Sequence, residues 1–207
     1  MKLAEEAGFP AGVINTIPCT RERVNEVTDA FLKSSLVTKM SFTGSDTTGK
    51  ILMAKCVVTV KKMSLELGGN APFVVFNSAD IDKAVNGAVV YKFRNTAQVM
   101  CANRILVQDE IFYEFAKRFA AAVDKHLKVG NGMDNGTTQG PLINKRAIKK
   151  VERHVADALS KSARLMRGGH RHPQGENFFE PTVLTDVNQD TLVCMEETFG
   201  PLAPLFR

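Results

Sequence analysis

The chain has no tryptophan and only two tyrosines in 207 residues. Its Lys and Arg side chains are scattered over the expected helix faces without interleaved aromatics. A nucleic-acid footprint needs both a basic stripe and stacking partners, so the net charge of +5 reads as a solvated surface. No block of five or six like charges occurs, which argues against a charged tail. Cysteine is sparse: Cys19, Cys56, Cys101 and Cys194 form no CxxC pair, so neither a zinc ribbon nor a disulfide framework is signalled and a reducing, intracellular setting is expected. His170 and His172 have no partner at metal-ligand spacing, and no metal is expected. Long apolar runs are absent as well. The opening MKLAEEAGFPAG lacks an apolar signal core, and no run of ~18 apolar residues follows, so the expectation is a soluble protein that neither carries a secretory signal nor spans a membrane.

What is present is an ordinary globular composition, 44% hydrophobic and 24% charged. Short β-rich runs alternate with helical patterns. Strand-like VINTIP (13–18), a helix over 21–33, KMSFT (39–43), a helix over 46–58, MSLEL and FVVF form a first series. A helix over 80–93, RILVQ (104–108), helices over 110–127 and 144–161, and ARLM form a second. Strand, helix, strand at this spacing implies parallel βαβ units and an α/β fold in two lobes that meet near residues 62–72.

Four stretches could carry chemistry. SFTGSDTTGK (41–50) leaves a strand and enters a helix, placing Gly44, Ser45 and Thr47 where free N–H groups favour an anion. The stretch fits neither GxGxxG nor a Walker loop, and on spacing alone simple N-capping by Ser45 or Asp46 is the favoured reading. LELGGNAP (65–72) puts Glu66 between two leucines. Burial there would raise its pKa and make it a general base, whereas an edge strand would leave Ser64 and Glu66 facing water. FRNTAQVMCANR sets Arg94, suited to a substrate carboxylate, a few residues before Cys101, which is either a nucleophile or buried ballast. EETFGP (196–201) offers carboxylates beside an aromatic, read as a ribose contact or as a surface turn.

In this order, FTGS, ELGGNAP, FRNT with a following cysteine, and EETFGP resemble the aldehyde dehydrogenase superfamily. KFRNT, GNGMDNGTTQGPLIN and EETFGPLAP resemble its succinate-semialdehyde dehydrogenase branch. The resemblance implies part of a Rossmann-type NAD domain (residues 1–65) followed by most of an α/β catalytic domain (66–207). It implies Glu66 as the base for the deacylating water and Cys101 as the nucleophile. Gly44, Ser45, Asp46, Thr47, Thr48, Gly49 and Leu67 would contact the cofactor, as would Glu197 and Phe199 around the nicotinamide ribose. Arg94 would hold the distal carboxylate of a small aldehyde. NAD is the implied cofactor, with NADP as the other option. The full-length family member would be a homo-oligomer acting on a small-molecule aldehyde, with no nucleic-acid or membrane partner, and the animal members of the branch imply the mitochondrial matrix.

Two departures from the family pattern qualify this. The chain is expected to be a piece that begins inside the cofactor domain and lacks the upstream oxyanion-hole asparagine and the closing part of the catalytic domain. The branch usually reads FRNTGQTCVCANR, whereas FRNTAQVMCANR is one residue shorter and has Ala97 for the glycine. Counting from Arg94, Met100 fills the nucleophile's slot. Counting back from Ala102, Cys101 matches the branch's second cysteine. A non-catalytic relative acting as a scaffold is therefore the alternative reading.

Overall fold

In the computed structural model the alternation of strands and helices forms two units, Met1–Gly68 and Gly69–Arg207. The structure describes residues 1–94 and 101–207. Asn95, Ala97 and Met100, which the motif comparison singled out, lie outside the described residues.

The first unit contains α1 (Lys2–Glu6), α2 (Val24–Lys33), β1 (Lys39–Thr43), α3 (Asp46–Val57) and β2 (Lys62–Glu66). The strands pair in parallel with Thr43 opposite Glu66. Alternate residues of both strands are half-buried and the others exposed, the two-residue period of a sheet with one covered face. Met40, Phe42 and Met63 supply the covered side and pack on buried Leu32, Leu52 and Cys56. Helix α3 starts where expected because Ser45 caps it, its Oγ accepting from Thr48 N at 3.3 Å. The expected strand at 13–18 is not one. All its residues are exposed, and among the described residues no strand pairs with it to give its β-branched side chains a pleated surface.

The second unit contains β3 (Pro72–Val75), α4 (Ile81–Phe93), β4 (Arg104–Val107), α5 (Phe112–His126), α6 (Lys145–Ser160), β5 (Arg164–Arg167), β6 (Thr182–Thr185), α7 (Leu192–Met195) and β7 (Leu202–Phe206). Its five strands run in the order β3-β4-β7-β6-β5, all parallel except β5, which is antiparallel to β6. Both faces are covered at the central strands, while β3 and β5 at the edges keep exposed residues. Ile105, Ala203 and Leu205 point to one core, shared with Phe93, Phe115 and Phe119 of α4 and α5. Leu184, Leu202 and Phe206 point to the other, shared with Ile148, Val151 and Val155 of α6. Two-sided burial leaves every residue of β6 (TVLT) and β7 (LAPLF) buried and removes the alternation that marks half-covered strands. Asp80 caps α4 by accepting from Lys83 N at 3.1 Å, and Asn144 caps α6 by accepting from Arg146 N at 3.0 Å. Among the described residues no helix is long and apolar enough to cross a membrane.

Candidate functional site

In the first unit the parallel register brings two motifs to the carboxyl ends of their strands, the end at which open α/β sheets bind ligands. Gly44 N donates to Glu66 O at 3.0 Å, joining the turn after β1 to the turn after β2. Gly68 N donates to Asp46 Oδ1 at 2.8 Å. Gly49 is held so close to Leu67 that a Cβ on it would come within 2.5 Å of a leucine methyl. The sequence candidates Gly44 to Gly49, Glu66 and Leu67 are thus neighbours. Ser45, Thr47 and Thr48 are exposed on the first turn of α3, where hydroxyls and helix N–H groups together fit phosphate oxygens. The Asp46 carboxylate is turned to Gly68 and adds negative charge at the same turn.

For Glu66 the strand shows the water-facing arrangement. It lies on the exposed side of β2 with Ser64, while Met63 and Leu65 take the half-buried side. The period of the strand turns its carboxylate outward.

In the second unit the last turn of α4 carries the features nearest to chemistry. Lys92 is 1% exposed. Burial brings its pKa down to about 8, and the charges of Cys101 and Glu197 oppose that shift. Cys101 is partly exposed. Ala102 N donates to Tyr91 O at 3.0 Å, fastening the residue after the thiol to the helix end beside Lys92. Gln139 Nε2 donates to Phe93 O, and Arg94, next along, is exposed. Beyond Ala102, Asn103 N donates to Ala71 O at 2.9 Å and Asn103 Oδ1 accepts from Thr198 N at 3.1 Å. A carboxamide thus links the cysteine segment to EETFGP. Asn70 Nδ2 donates to Cys194 O at 2.6 Å, while Asn70 Oδ1 is buried without a hydrogen-bond partner among the described residues.

EETFGP is more than a surface turn. His154, inside α6 and wholly buried, bridges it: Nδ1 is 2.8 Å from Thr198 Oγ1 and Nε2 is 3.2 Å from Glu196 Oε2. Burial lowers the His154 pKa, against the hydrogen bond and charge of Glu196. Arg153 also reaches Glu196, at 2.5 Å. Gly200 passes α6 so closely that a Cβ would meet Val151 at 2.5 Å. With Glu196, Thr198 and Gly200 pinned, Glu197 is left half-buried and Phe199 is 42% exposed, available to a ligand.

The structure therefore gathers Gly44 to Gly49, Glu66 and Leu67 in the first unit. In the second it sets Cys101 and Glu197 within electrostatic reach of Lys92. Sequence reasoning missed Lys92, His154, Asn70 and Asn103. A signal for Lys92 existed: Val85, Ala88, Val89 and Lys92 form the buried stripe of α4 at helical spacing, so the lysine occupies a core position. Among the described residues no group of three or more His, Cys, Asp or Glu side chains could hold a metal ion.

Comparison with known proteins adds an independent line. The profile of the aldehyde dehydrogenase family matches residues 1–207. The mitochondrial succinate-semialdehyde dehydrogenase of Homo sapiens is 56% identical over 207 residues, which is 100% of this chain and 39% of that protein. The Escherichia coli succinate-semialdehyde dehydrogenase named for NADP(+) is 54% identical over 208 residues, covering 100% and 42%. The crystal structure of succinate-semialdehyde dehydrogenase from Burkholderia pseudomallei superposes with a TM-score of 0.95 at 53% identity, again covering 100% of this chain and 42% of the other. The chain spans about two fifths of the length of these relatives. Motifs, topology and whole-chain similarity agree, and this chain belongs to the aldehyde dehydrogenase family.

Proposed function

We propose that the chain takes part in the nicotinamide-dinucleotide-dependent oxidation of a small aldehyde to its acid, with succinate semialdehyde as substrate, as the names of its relatives support. The observation that carries this reading is a partly exposed thiol, Cys101, which with half-buried Glu197 lies within electrostatic reach of the buried Lys92. Cys101 attacks the aldehyde carbon, and the resulting adduct becomes a thioester once hydride has left. The dinucleotide, NAD or NADP, supplies the hydride acceptor when bound. Ser45, Thr47 and Thr48 with the α3 N-terminus orient its phosphates, and Glu197 and Phe199 take its nicotinamide ribose. The first unit is then the dinucleotide-binding part and the second the catalytic part. Glu66 activates the water that hydrolyses the thioester, and its exposure leaves it open to solvent. Arg94, exposed at the end of α4, pairs with the distal carboxylate.

The experiment is an absorbance assay at the reduced-nicotinamide band with succinate semialdehyde and either dinucleotide. Turnover that disappears in Cys101→Ser is the expected result, and absence of turnover with both dinucleotides overturns it. The one-residue deficit in FRNTAQVMCANR favours a second reading, a family member that keeps the scaffold and has lost the chemistry. Dinucleotide binding without turnover is its signature.

A further inference from the structure

His154 takes no part in the reaction outlined above, yet it fills a core position. Ile148, Val151, His154, Val155 and Ala158 form the buried face of α6, where the helical period alone would accept any apolar residue. An imidazole inside a protein is costly unless its ring nitrogens find partners. Both do, and both partners come from one turn: Nδ1 lies 2.8 Å from Thr198 Oγ1 and Nε2 lies 3.2 Å from Glu196 Oε2. Glu196 has Arg153 at 2.5 Å and Lys150 at 3.8 Å, so it is held as a carboxylate, which only accepts. In the neutral ring Nε2 therefore donates to Glu196, and Nδ1 accepts from the Thr198 hydroxyl. The grip alternates along the turn. Glu196 and Thr198 are held by His154, and Gly200 passes so near Val151, on the same helix, that a Cβ would meet it at 2.5 Å. Thr198 N donates in addition to Asn103 Oδ1 at 3.1 Å. The residues in between are the accessible ones: Glu197 is half-buried and Phe199 is exposed.

We infer that His154 is a positioning residue for the nicotinamide ribose, fixing Glu196 and Thr198 so that Glu197 and Phe199 meet that ribose in one pose. A turn already held in its binding pose has less freedom to lose when the ligand arrives, and the saving appears as affinity. An apolar side chain at 154 would fill the core as well and leave the turn free to shift. This role rests on the reading of Glu197 and Phe199 as the ribose contacts.

The test compares two probes on the full chain by equilibrium dialysis. One is NADH, and the other is ADP, which keeps the phosphates and lacks the nicotinamide ribose. His154→Phe retains an aromatic ring and removes both hydrogen bonds. It should weaken NADH about tenfold, the scale of one or two buried hydrogen bonds, and leave ADP within about twofold of wild type. His154→Gln, whose amide still donates toward Glu196, should recover part of the loss. Thr198→Val should weaken NADH in wild type and add little in His154→Phe, where the bond it removes is already gone. A histidine that served packing alone would lower the denaturation midpoint and leave the ratio of NADH to ADP affinity unchanged. NADH binding in His154→Phe within twofold of wild type overturns the inference, as does equal weakening of ADP. Where His154→Phe fails to fold, unchanged NADH binding in Thr198→Val overturns it. A wild-type chain that takes up neither NADH nor NADPH sinks the proposed function instead, and hydrogen exchange at the Thr198 amide then decides. Exchange about tenfold faster in either variant, with β7 as protected as before, upholds the hold of His154 on the turn, and unchanged exchange overturns it.

Discussion

Lys92 also has a thermodynamic signature. It binds its proton less tightly in the folded chain, near pH 8, than at the ordinary lysine value of 10.5. Between those values the unfolded chain carries more protons, so the contribution of this residue to stability rises with pH across the window and is lowest at and below about pH 8. Lys92→Met, which removes the charge and keeps an apolar stem, should stabilise the protein at neutral pH by up to ~3 kcal/mol, with the gain shrinking as the pH approaches 10.5. Urea denaturation of both proteins at several pH values measures it. A less stable variant at pH 7 would mean that attraction to Cys101 and Glu197 outweighs the burial cost. A residue that lowers stability where chemistry is expected is the usual trade at functional sites. Individual residues were unevenly legible in the sequence. Glu66 was conspicuous as a charge among leucines, yet the strand period turns it outward. Lys92 looked like one more scattered basic residue, and only its phase on α4 betrays it.

Helices were the legible elements, because their starts are written in short polar side chains. Ser45, Asp80 and Asn144 each cap the helix that follows them. At α3 the cap has a further duty, since Ser45 Oγ also donates to Thr48 Oγ1 at 3.0 Å within the proposed phosphate-binding turn. Ser45→Ala should cost about 1 kcal/mol of stability and weaken dinucleotide binding. Thermal denaturation and a dinucleotide titration check the two halves, and unchanged binding would remove Ser45 from the phosphate contacts. Strands were less legible for two opposite reasons. VINTIP has β-forming side chains but no strand beside it, so propensity had nothing to act on. LAPLF of β7 sits in the interior of the five-stranded sheet although Pro204 marks a sequence against such a place. Its neighbour β6 is buried on both faces and so shows no alternation to read. Which strands adjoin is a property of contacts distant in sequence, and no local pattern carries it.

For the molecule as a whole, the division into two units has a measurable side. The first unit has one small buried cluster, Leu32, Leu52 and Cys56, while the second has a core on each face of its sheet. Small cores stabilise weakly, because the apolar area removed from water barely exceeds the entropy of ordering the chain. The first unit should therefore open at lower denaturant than the second. The probes are separable: Cys56, at 2% exposure, reports the first unit, and the only two tyrosines, Tyr91 and Tyr113, both lie in the second, with no tryptophan to mask them. Cys56 should become reactive to a thiol reagent before tyrosine fluorescence changes, and coincident transitions would show that the units unfold as one. Two lobes were foreseeable from the double βαβ series, whereas the inequality of their cores depends on which apolar residues meet.

The ties on either side of the FRNTAQVMCANR motif have a consequence for how such a chain can drift. Tyr91 O, Phe93 O and Asn103 N are all engaged, by Ala102 N, Gln139 Nε2 and Ala71 O respectively. Both banks are moored independently of the number of residues strung between them. Gain or loss of one residue there would change which side chain is offered for reaction while the hydrophobic layers beneath stay as they are. A change in that spacing would be felt first in the chemistry, through the side chain that reaches the substrate.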